Sequence, residues 1–393
     1  VNVAWLLAAR LLRRRGSALL RTSALAALLA VALGSASLVV VLALMSGYSS
    51  ALRSGILAAS GQLVALYPPG ASHEEAKAAE VRVAAIAGVV RVGEVVYLPG
   101  MLFPRSPGPA ELVTVRASAS PPPFVRLPAG TSRGPLDIAL GRDVARRLSV
   151  GPGDVLSLQV VAAGGPRLLA ARVAQVFSTG FAGLDQGFAV TGLAELRRRV
   201  AALPGGGLEV WLADPDRADA LRDAVEKACG SGALVTTWQE TNRNLFAALR
   251  WQKISLALVL SLVLGVGAFE VASALVVLVT EKRREIGVLM ALGGPPRLLR
   301  RVLLLAGAAL GAAGVACGMG LGVGLVLVLG FLHVPHFPPD IASIYMVDTI
   351  PFRLLPGDLA VVAALSALEV LVAASLPARR ASRREPVEVL RWV

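Results

Sequence analysis

The chain has 393 residues, 55% of them hydrophobic, with a mean hydropathy of +0.68 and a net charge of +13. So apolar a composition excludes an ordinary soluble protein and predicts several membrane spans. The basic excess excludes a nucleic-acid surface by its distribution: it lies at Arg10, Arg13, Arg14, Arg15 and Arg21, then at Lys282, Arg283, Arg284, Arg297, Arg300 and Arg301, then at Arg379, Arg380, Arg383, Arg384 and Arg391, a pattern that reports membrane topology.

Residues 1–46 hold the first arginine cluster and the apolar run Thr22–Met45. A cleaved signal peptide would carry an apolar core of only ~7–15 residues. This run is long enough to cross ~30 Å of hydrocarbon. It reads as transmembrane helix 1, with the N-terminus inside.

Residues 47–250 read as an external domain of mixed α/β type. Gln62–Leu66 and Val89–Tyr97 read as strands around a helix at Glu74–Ala87, and Gly207–Leu212 and Leu234–Trp238 as strands around a helix at Arg217–Ala228. These two β-α-β units flank a strand-rich segment, about 111–199. Turns at Gly151-Pro152-Gly153-Asp154 and Gly164-Gly165-Pro166 punctuate it, and a short helix is predicted at Gly141–Leu148. The pattern predicts a β-α-β subdomain carrying an inserted strand-rich subdomain.

Residues 251–280 hold the second span, Ile254–Thr280, and 302–332 the third. Gly307, Gly311, Gly314, Gly318 and Gly322 recur along the third span, a spacing that permits close helix packing. The loop 333–356 carries Asp340 and Asp348 against Arg353 and reads as external. The fourth span falls within 357–377, and the basic tail 378–393 returns inside. Four spans with both termini inside satisfy the charge bias at every crossing. Cys229 and Cys317 fall in different regions, so no disulfide between them is expected.

The segment 281–301 separates the second and third spans. Glu281, Lys282, Arg283, Arg284 and Glu285 open it, Ile286, Leu289, Met290 and Leu292 follow at helical spacing, and Gly293, Gly294, Pro295 and Pro296 stop the helix. A short amphipathic helix at the membrane surface can receive force from a soluble partner. A basic loop obeying the positive-inside rule has the same charge.

Little here suggests chemistry. None of Lys77, Lys227, Lys253 and Lys282 follows a glycine, so the sequence holds no phosphate-binding GxxxxGK[ST] loop. His333 and His336 are spaced for a metal, but Pro335 between them breaks the helix such a pair would use. The chain reads as a non-enzyme with no metal site and no cofactor of its own. Glu270 and Glu369 stand inside the second and fourth spans at similar expected depth. Intramembrane carboxylates are functional candidates, with hydrogen-bonded packing as the alternative. On helix 1, Leu42, Met45 and Tyr48 recur every three residues. Ile254, Leu258 and Val259 lie at matching depth on helix 2. They are the candidate walls of an apolar site, or packing against the third span.

Several stretches carry a family resemblance. They are Val41 to Tyr48 (VLALMSGY) with Leu52, Ile56 and Leu57; Leu140 to Leu148 (LGRDVARRL) with Val150, Gly151, Gly153 and Asp154; and Phe177 to Gly180 with Leu184 and Asp185. Leu245, Phe246, Leu249, Arg250 and Lys253 add to them, as do Glu281 to Leu289 (EKRREIGVL), Ile344, Tyr345, Ile350, Pro351, and Pro377 to Ala381 (PARRA) with Glu385 and Pro386. The chain resembles the lipoprotein-releasing permeases of the Lol type, within the FtsX/MacB class of ABC-transporter membrane subunits.

The resemblance implies a bacterial inner-membrane protein that pairs with a second permease copy or homologue and binds a dimer of a separate ABC ATPase, which holds the ATP and Mg. It implies acylated lipoproteins as cargo, passed from the membrane to a periplasmic carrier. Glu281, Lys282, Arg283, Arg284, Glu285, Ile286, Leu289 and Leu292 become the ATPase-coupling residues. Leu42, Met45, Tyr48, Ile254, Leu258 and Val259 become the lipid and cargo contacts. In the family one permease of the pair carries a projecting hook that recruits the carrier; the corresponding hairpin here is Val160–Leu169, which is short. Two other readings share the class: a MacB-like efflux subunit and an FtsX-like subunit that controls cell-wall hydrolases.

Overall fold

The computed structural model describes residues 18–68, 73–105, 108–128, 134–162, 164–179, 182–200, 203, 206–230, 232–332 and 351–382. Arg10 to Arg15, the loop with His333 and His336, and the tail from Arg383 onward lie outside the described residues. The chain divides into two units, one of residues 1–48, 248–334 and 351–393, the other of 49–247 and 335–350.

The first unit contains four helices long and apolar enough to cross a membrane: α1 (Ala18–Ala59), α8 (Arg243–Glu281), α10 (Pro296–Phe331) and α11 (Pro356–Ser382). All four extend beyond the apolar runs. α1 passes Gly47, α8 begins at Arg243 and α10 at Pro296, and α11 passes Pro377, where the sequence predicts its end. An interior proline removes one backbone hydrogen bond, and a helix packed among neighbours tolerates that loss.

Helix α10 brings its neighbours close by using two glycine rows. Gly307 and Gly311 meet Ala374 and Val370 of α11, while Gly314, Gly318 and Gly322 lie against Val31, Ala32 and Val39 of α1. At Gly318 a Cβ would stand 2.3 Å from the Ala32 carbonyl oxygen, so no side chain fits there without parting the helices. Between α8 and α10, the nine-residue α9 (Arg283–Ala291) ends at Leu292 and Gly293, the glycine at φ +85°.

The second unit is built on nine strands: β1 (Leu63–Leu66), β2 (Val89–Phe103), β3 (Glu111–Ser118), β4 (Leu136–Gly141), β5 (Val155–Ala162), β6 (Gly165–Phe177), β7 (Phe188–Gly192), β8 (Gly207–Leu212) and β9 (Leu234–Thr237). Helices α2 (His73–Ala84) and α6 (Ala218–Cys229) connect β1 to β2 and β8 to β9. Strand β8 lies between β1 and β2, and β1 lies between β8 and β9, every pair antiparallel. The two β-α-β units therefore interleave as a split β-α-β module. Leu63, Ala65, Leu208, Val210, Ala79, Val83 and Val225 form its core.

The remaining strands run β3-β7-β4-β6-β5-β2, and β2 also pairs with β3, so six strands close into a barrel. Strand β2 belongs to both parts: 89–95 pair with β8, and 95–102 pair with β3. The sequence reading ends this strand at Tyr97, before Pro99 and Gly100. Gly100 instead brings β2 against Val115, where a Cβ would stand 2.6 Å from that side chain, so it marks a bend and not an end. Alternate residues Leu156, Leu158 and Val160 of β5 point into the barrel with Leu98, Leu102, Leu136 and Ile138.

The family motifs have local structural reasons. Asp185, fully buried at the end of α4 (Ala182–Asp185), accepts hydrogen bonds from the Thr179 amide, the Thr179 hydroxyl and the Ser178 hydroxyl at 2.8–3.1 Å. Gly141 precedes α3 (Arg142–Arg147), and a Cβ there would lie 2.3 Å from the Asp185 carbonyl oxygen. Asp154 accepts from the Gly151 amide at 2.8 Å and closes the turn that Gly153 makes at φ +99°.

Candidate functional site

Helix α9 is held along its inner face. Ile286 is buried among Leu299 and Leu303 of α10 and Ala378 and Ala381 of α11, with Met290 packed beside it. This corrects the expectation that Ile286 faces a partner: the apolar stripe is divided, with its inner edge spent on the helix's own bundle. Leu289 is half-buried. The outward residues are Leu292, 82% exposed, and Val288, 52% exposed. They are four apart and so share a face. Val288 is not singled out by the sequence, because periodicity shows an apolar stripe but not which edge of it is covered.

The charges at the start of α9 split likewise. Lys282 is partly buried and donates to Glu285 Oε1 at 2.9 Å, whereas Arg283, Arg284 and Glu285 are exposed. Glu281 is half-buried at the end of α8. The helix thus offers Val288 and Leu292 as an apolar contact, beside charges of both signs. It is seated on α10 and α11, so a push on it reaches both.

At the opposite end of the bundle, three polar residues lock three helices. Lys253 of α8 donates to Asp358 Oδ1 of α11 at 2.6 Å and to Ser46 Oγ of α1 at 2.8 Å. Ser46 in turn donates to Asp358 Oδ2 at 2.5 Å. Beside it, the Arg353 amide donates to the Ala43 carbonyl at 3.0 Å, and a Cβ on Gly47 would strike the Pro351 carbonyl oxygen at 2.0 Å. The SGY end of helix 1 is therefore shaped by the segment that leads into α11. Ser46 and Lys253 lie within the family motifs, but nothing in the sequence gives a role to them or to Asp358. The network joins residues far apart in the chain, and no local signal announces it.

The six candidate lipid contacts do not form one surface. Leu42 is buried with Leu38, Val39 and Val362, against Ala257 and Leu260 of α8, and is a core residue, not a wall. Its partners define the seam of α8 that runs through Ala257, Leu260, Leu264 and Ala268. Ile254, Leu258 and Val259 fall off that seam and are 49%, 61% and 54% exposed. They begin a longer open apolar face that continues through Leu262, Val263, Val266 and Phe269. Met45 and Tyr48 are half-buried near the end of the α1 span.

The two intramembrane carboxyls are also apart. Glu369 lies over Gly265 of α8: a Cβ there would be 3.6 Å from Glu369 Oε2. Glu270 is five residues along α8, about 140° around it at 3.6 residues per turn, so it turns away from the face that meets Glu369. Oε2 of Glu369 and the buried Oγ of Ser366, one turn apart, have no hydrogen-bond partner among the described residues.

On the barrel, apolar side chains cross four strands. Leu112 of β3 pairs with Met101 of β2, Met101 with Gln159 of β5, and Gln159 with Leu168 of β6. Leu112, Leu168 and Met101 are 70%, 67% and 38% exposed, and Val161, two residues from Gln159 and so on the same face, is also exposed. The strip crosses the β5–β6 hairpin, which contains Val160–Leu169.

Comparison with known proteins covers both units. The model of the FtsX-like permease C-terminal family matches residues 257–386, and that of the MacB-like periplasmic core domain matches residues 24–228. A lipoprotein-releasing system transmembrane protein LolC of Xylella fastidiosa (strain 9a5c) is 28% identical over 94% of this chain and 93% of its own length. A LolC of Neisseria meningitidis serogroup B is 31% identical over 68% of each chain. A LolE of Haemophilus influenzae is 23% identical over 64% of each.

Proposed function

Because the chain belongs to the LolC/LolE-type permeases of lipoprotein-releasing systems, we propose a division of labour among its parts. It is a multi-pass inner-membrane permease subunit of a lipoprotein-releasing ABC transporter. The observation that carries this reading is the likeness to LolC proteins along 94% of the chain, through all four spans and the mixed domain.

Both termini and α9 lie in the cytoplasm, and the barrel and the split β-α-β module lie in the periplasm. The placement of Lys and Arg supports this orientation. An ATPase dimer, on separate subunits that hold ATP and Mg, receives Val288, Leu289 and Leu292 with the charges Glu281 to Glu285. A second permease copy or homologue completes the transporter. Acylated lipoprotein enters from the membrane along the open face of α8 that begins at Ile254, Leu258 and Val259, with Met45 and Tyr48 at its margin. Methionine's flexible thioether suits acyl chains of varied shape. The carrier docks on the apolar strip of Met101, Leu112, Val161 and Leu168, an exposed patch that marks an interaction site. The inserted barrel would present that strip, with the split module as its base.

The test is release: the permease, its ATPase and an acylated lipoprotein are reconstituted in vesicles, and lipoprotein passed to soluble carrier is counted. ATP-dependent transfer supports the reading. The MacB-like match favours one rival, an efflux subunit, which would move small molecules in the same vesicles and leave the lipoprotein in place.

A further inference from the structure

The cytoplasmic half of the bundle carries a groove beyond the entry face proposed above, which it meets at Phe269. It has a volume of about 360 Å³ and runs between α8 and α11. Phe269, Ser273 and Val276 form one wall, Leu376 and Pro377 the other, and Arg380 stands at the mouth. Ala272 and Ala381, both small and buried, leave its floor low. Phe269, Val276 and Leu376 are more than half exposed along it. The groove ends at Phe269, one turn short of Gly265 and Glu369; Ser273 and Thr280 are its uncharged polar residues, and its only charge is the guanidinium of Arg380. Arg380 is exposed and forms no ion pair among the described residues.

We propose that this groove binds an anionic phospholipid of the inner leaflet, with the phosphate at Arg380 and one acyl chain along Phe269, Val276 and Leu376. A basic pocket between membrane helices at the cytoplasmic side recognises anionic head groups, and an apolar cleft below it recognises the chain. Charge selects lipid over a second copy of this chain. The same end of a second copy carries Lys282, Arg283, Arg284, Arg297, Arg300, Arg301, Arg379 and Arg380 against Glu281 and Glu285, a basic excess that would repel this mouth. The site is separate from the exposed α8 residues Ile254 to Val259, which lie at the other end of the helix. It rests on the orientation proposed above only for which leaflet supplies the lipid.

The test uses the full chain in lipid nanodiscs with spin-labelled phosphatidylglycerol or phosphatidylcholine, reading the motionally restricted fraction. Both leaflets of a disc are alike, so the result does not depend on orientation or on lipoprotein release. The proposal expects phosphatidylglycerol to be restricted in preference to phosphatidylcholine. Arg380→Gln should lower that preference about fivefold, the effect of one basic residue near a membrane surface, and Arg380→Lys should restore most of it. Val276→Trp, which fills the groove and keeps the arginine, should abolish the preference. Equal restriction of the two lipids, or wild-type behaviour of both Arg380→Gln and Val276→Trp, would overturn the proposal. So would a Val276→Cys crosslink that captures another permease chain in the assembled transporter and no lipid.

Discussion

Arg116 of β3 and Glu209 of β8 form an ion pair with both side chains buried, and it joins the barrel to the split β-α-β module. Arg116 also donates to the Ala59 carbonyl at the end of α1, and the Tyr97 hydroxyl donates to Glu209. Burial, with the Glu209 charge beside it, holds the Tyr97 hydroxyl well above the usual tyrosine range, so it stays a donor. Strand β2, which contributes Tyr97, crosses the same junction. One cluster thus fixes how β2, β3, β8 and the end of α1 meet.

Removing one member of such a pair leaves the other charge buried without its partner. Arg116→Met should destabilise the domain by about 3–5 kcal/mol. Arg116→Met with Glu209→Leu should recover part of that loss, because no buried charge then remains. Thermal unfolding of the full chain in detergent, followed by tryptophan fluorescence, checks the order of the three proteins. If the double variant is less stable than Arg116→Met alone, the pair is not the organising contact.

A second prediction separates the two edges of α9. Leu292→Asp and Val288→Asp place charge on the outward face and should leave folding intact while removing stimulation of the ATPase. Ile286→Asp places it among Leu299, Leu303 and Ala378 and should lower the yield of folded permease. Yield and ATPase stimulation, measured on the same preparations, distinguish the two effects. Normal stimulation by Leu292→Asp would place the ATPase contact elsewhere.

The Lys253–Asp358–Ser46 network predicts a third result. Lys253 and Asp358 keep 29% and 17% of their side-chain exposure, so water screens the pair and its removal costs less than a fully buried one. Lys253→Met should therefore lower the melting temperature modestly, and Lys253→Met with Asp358→Leu should lower it less. Cysteines at Ala43 and Leu354 offer a direct reading of helix-end separation by spin-label distance. A broadened distance distribution in Lys253→Met is expected, and an unchanged one would leave the network without a role in holding these ends.

Much of this architecture is legible in the sequence. Apolar runs bounded by arginines mark the spans, and the glycine rows of α10 announce close packing that the positions of Ala32 and Val370 explain. Strand and helix periods locate most of the mixed domain. What is not legible depends on contacts between distant residues. Proline suggests a helix end at Pro377 and a strand end near Pro99, yet neighbouring elements carry both through. Periodicity groups Ile286 with Leu292 and Leu42 with Met45. Only the packing of α10 and α11 shows that Ile286 is covered, and only the seam with α8 shows that Leu42 is. Glu270 and Glu369 look paired because depth can be counted along a helix, whereas rotation relative to another helix cannot.

The proposed lipoprotein release requires the cargo to reach the margin of α1 and the open face of α8. A photo-crosslinker at Met45, in the permease assembled with its ATPase in membranes, tests this most directly. It should capture an acylated lipoprotein before ATP is added, lose it after ATP hydrolysis, and fail to capture the same protein without its acyl chains. Capture of phospholipid alone, unchanged by ATP, would contradict it.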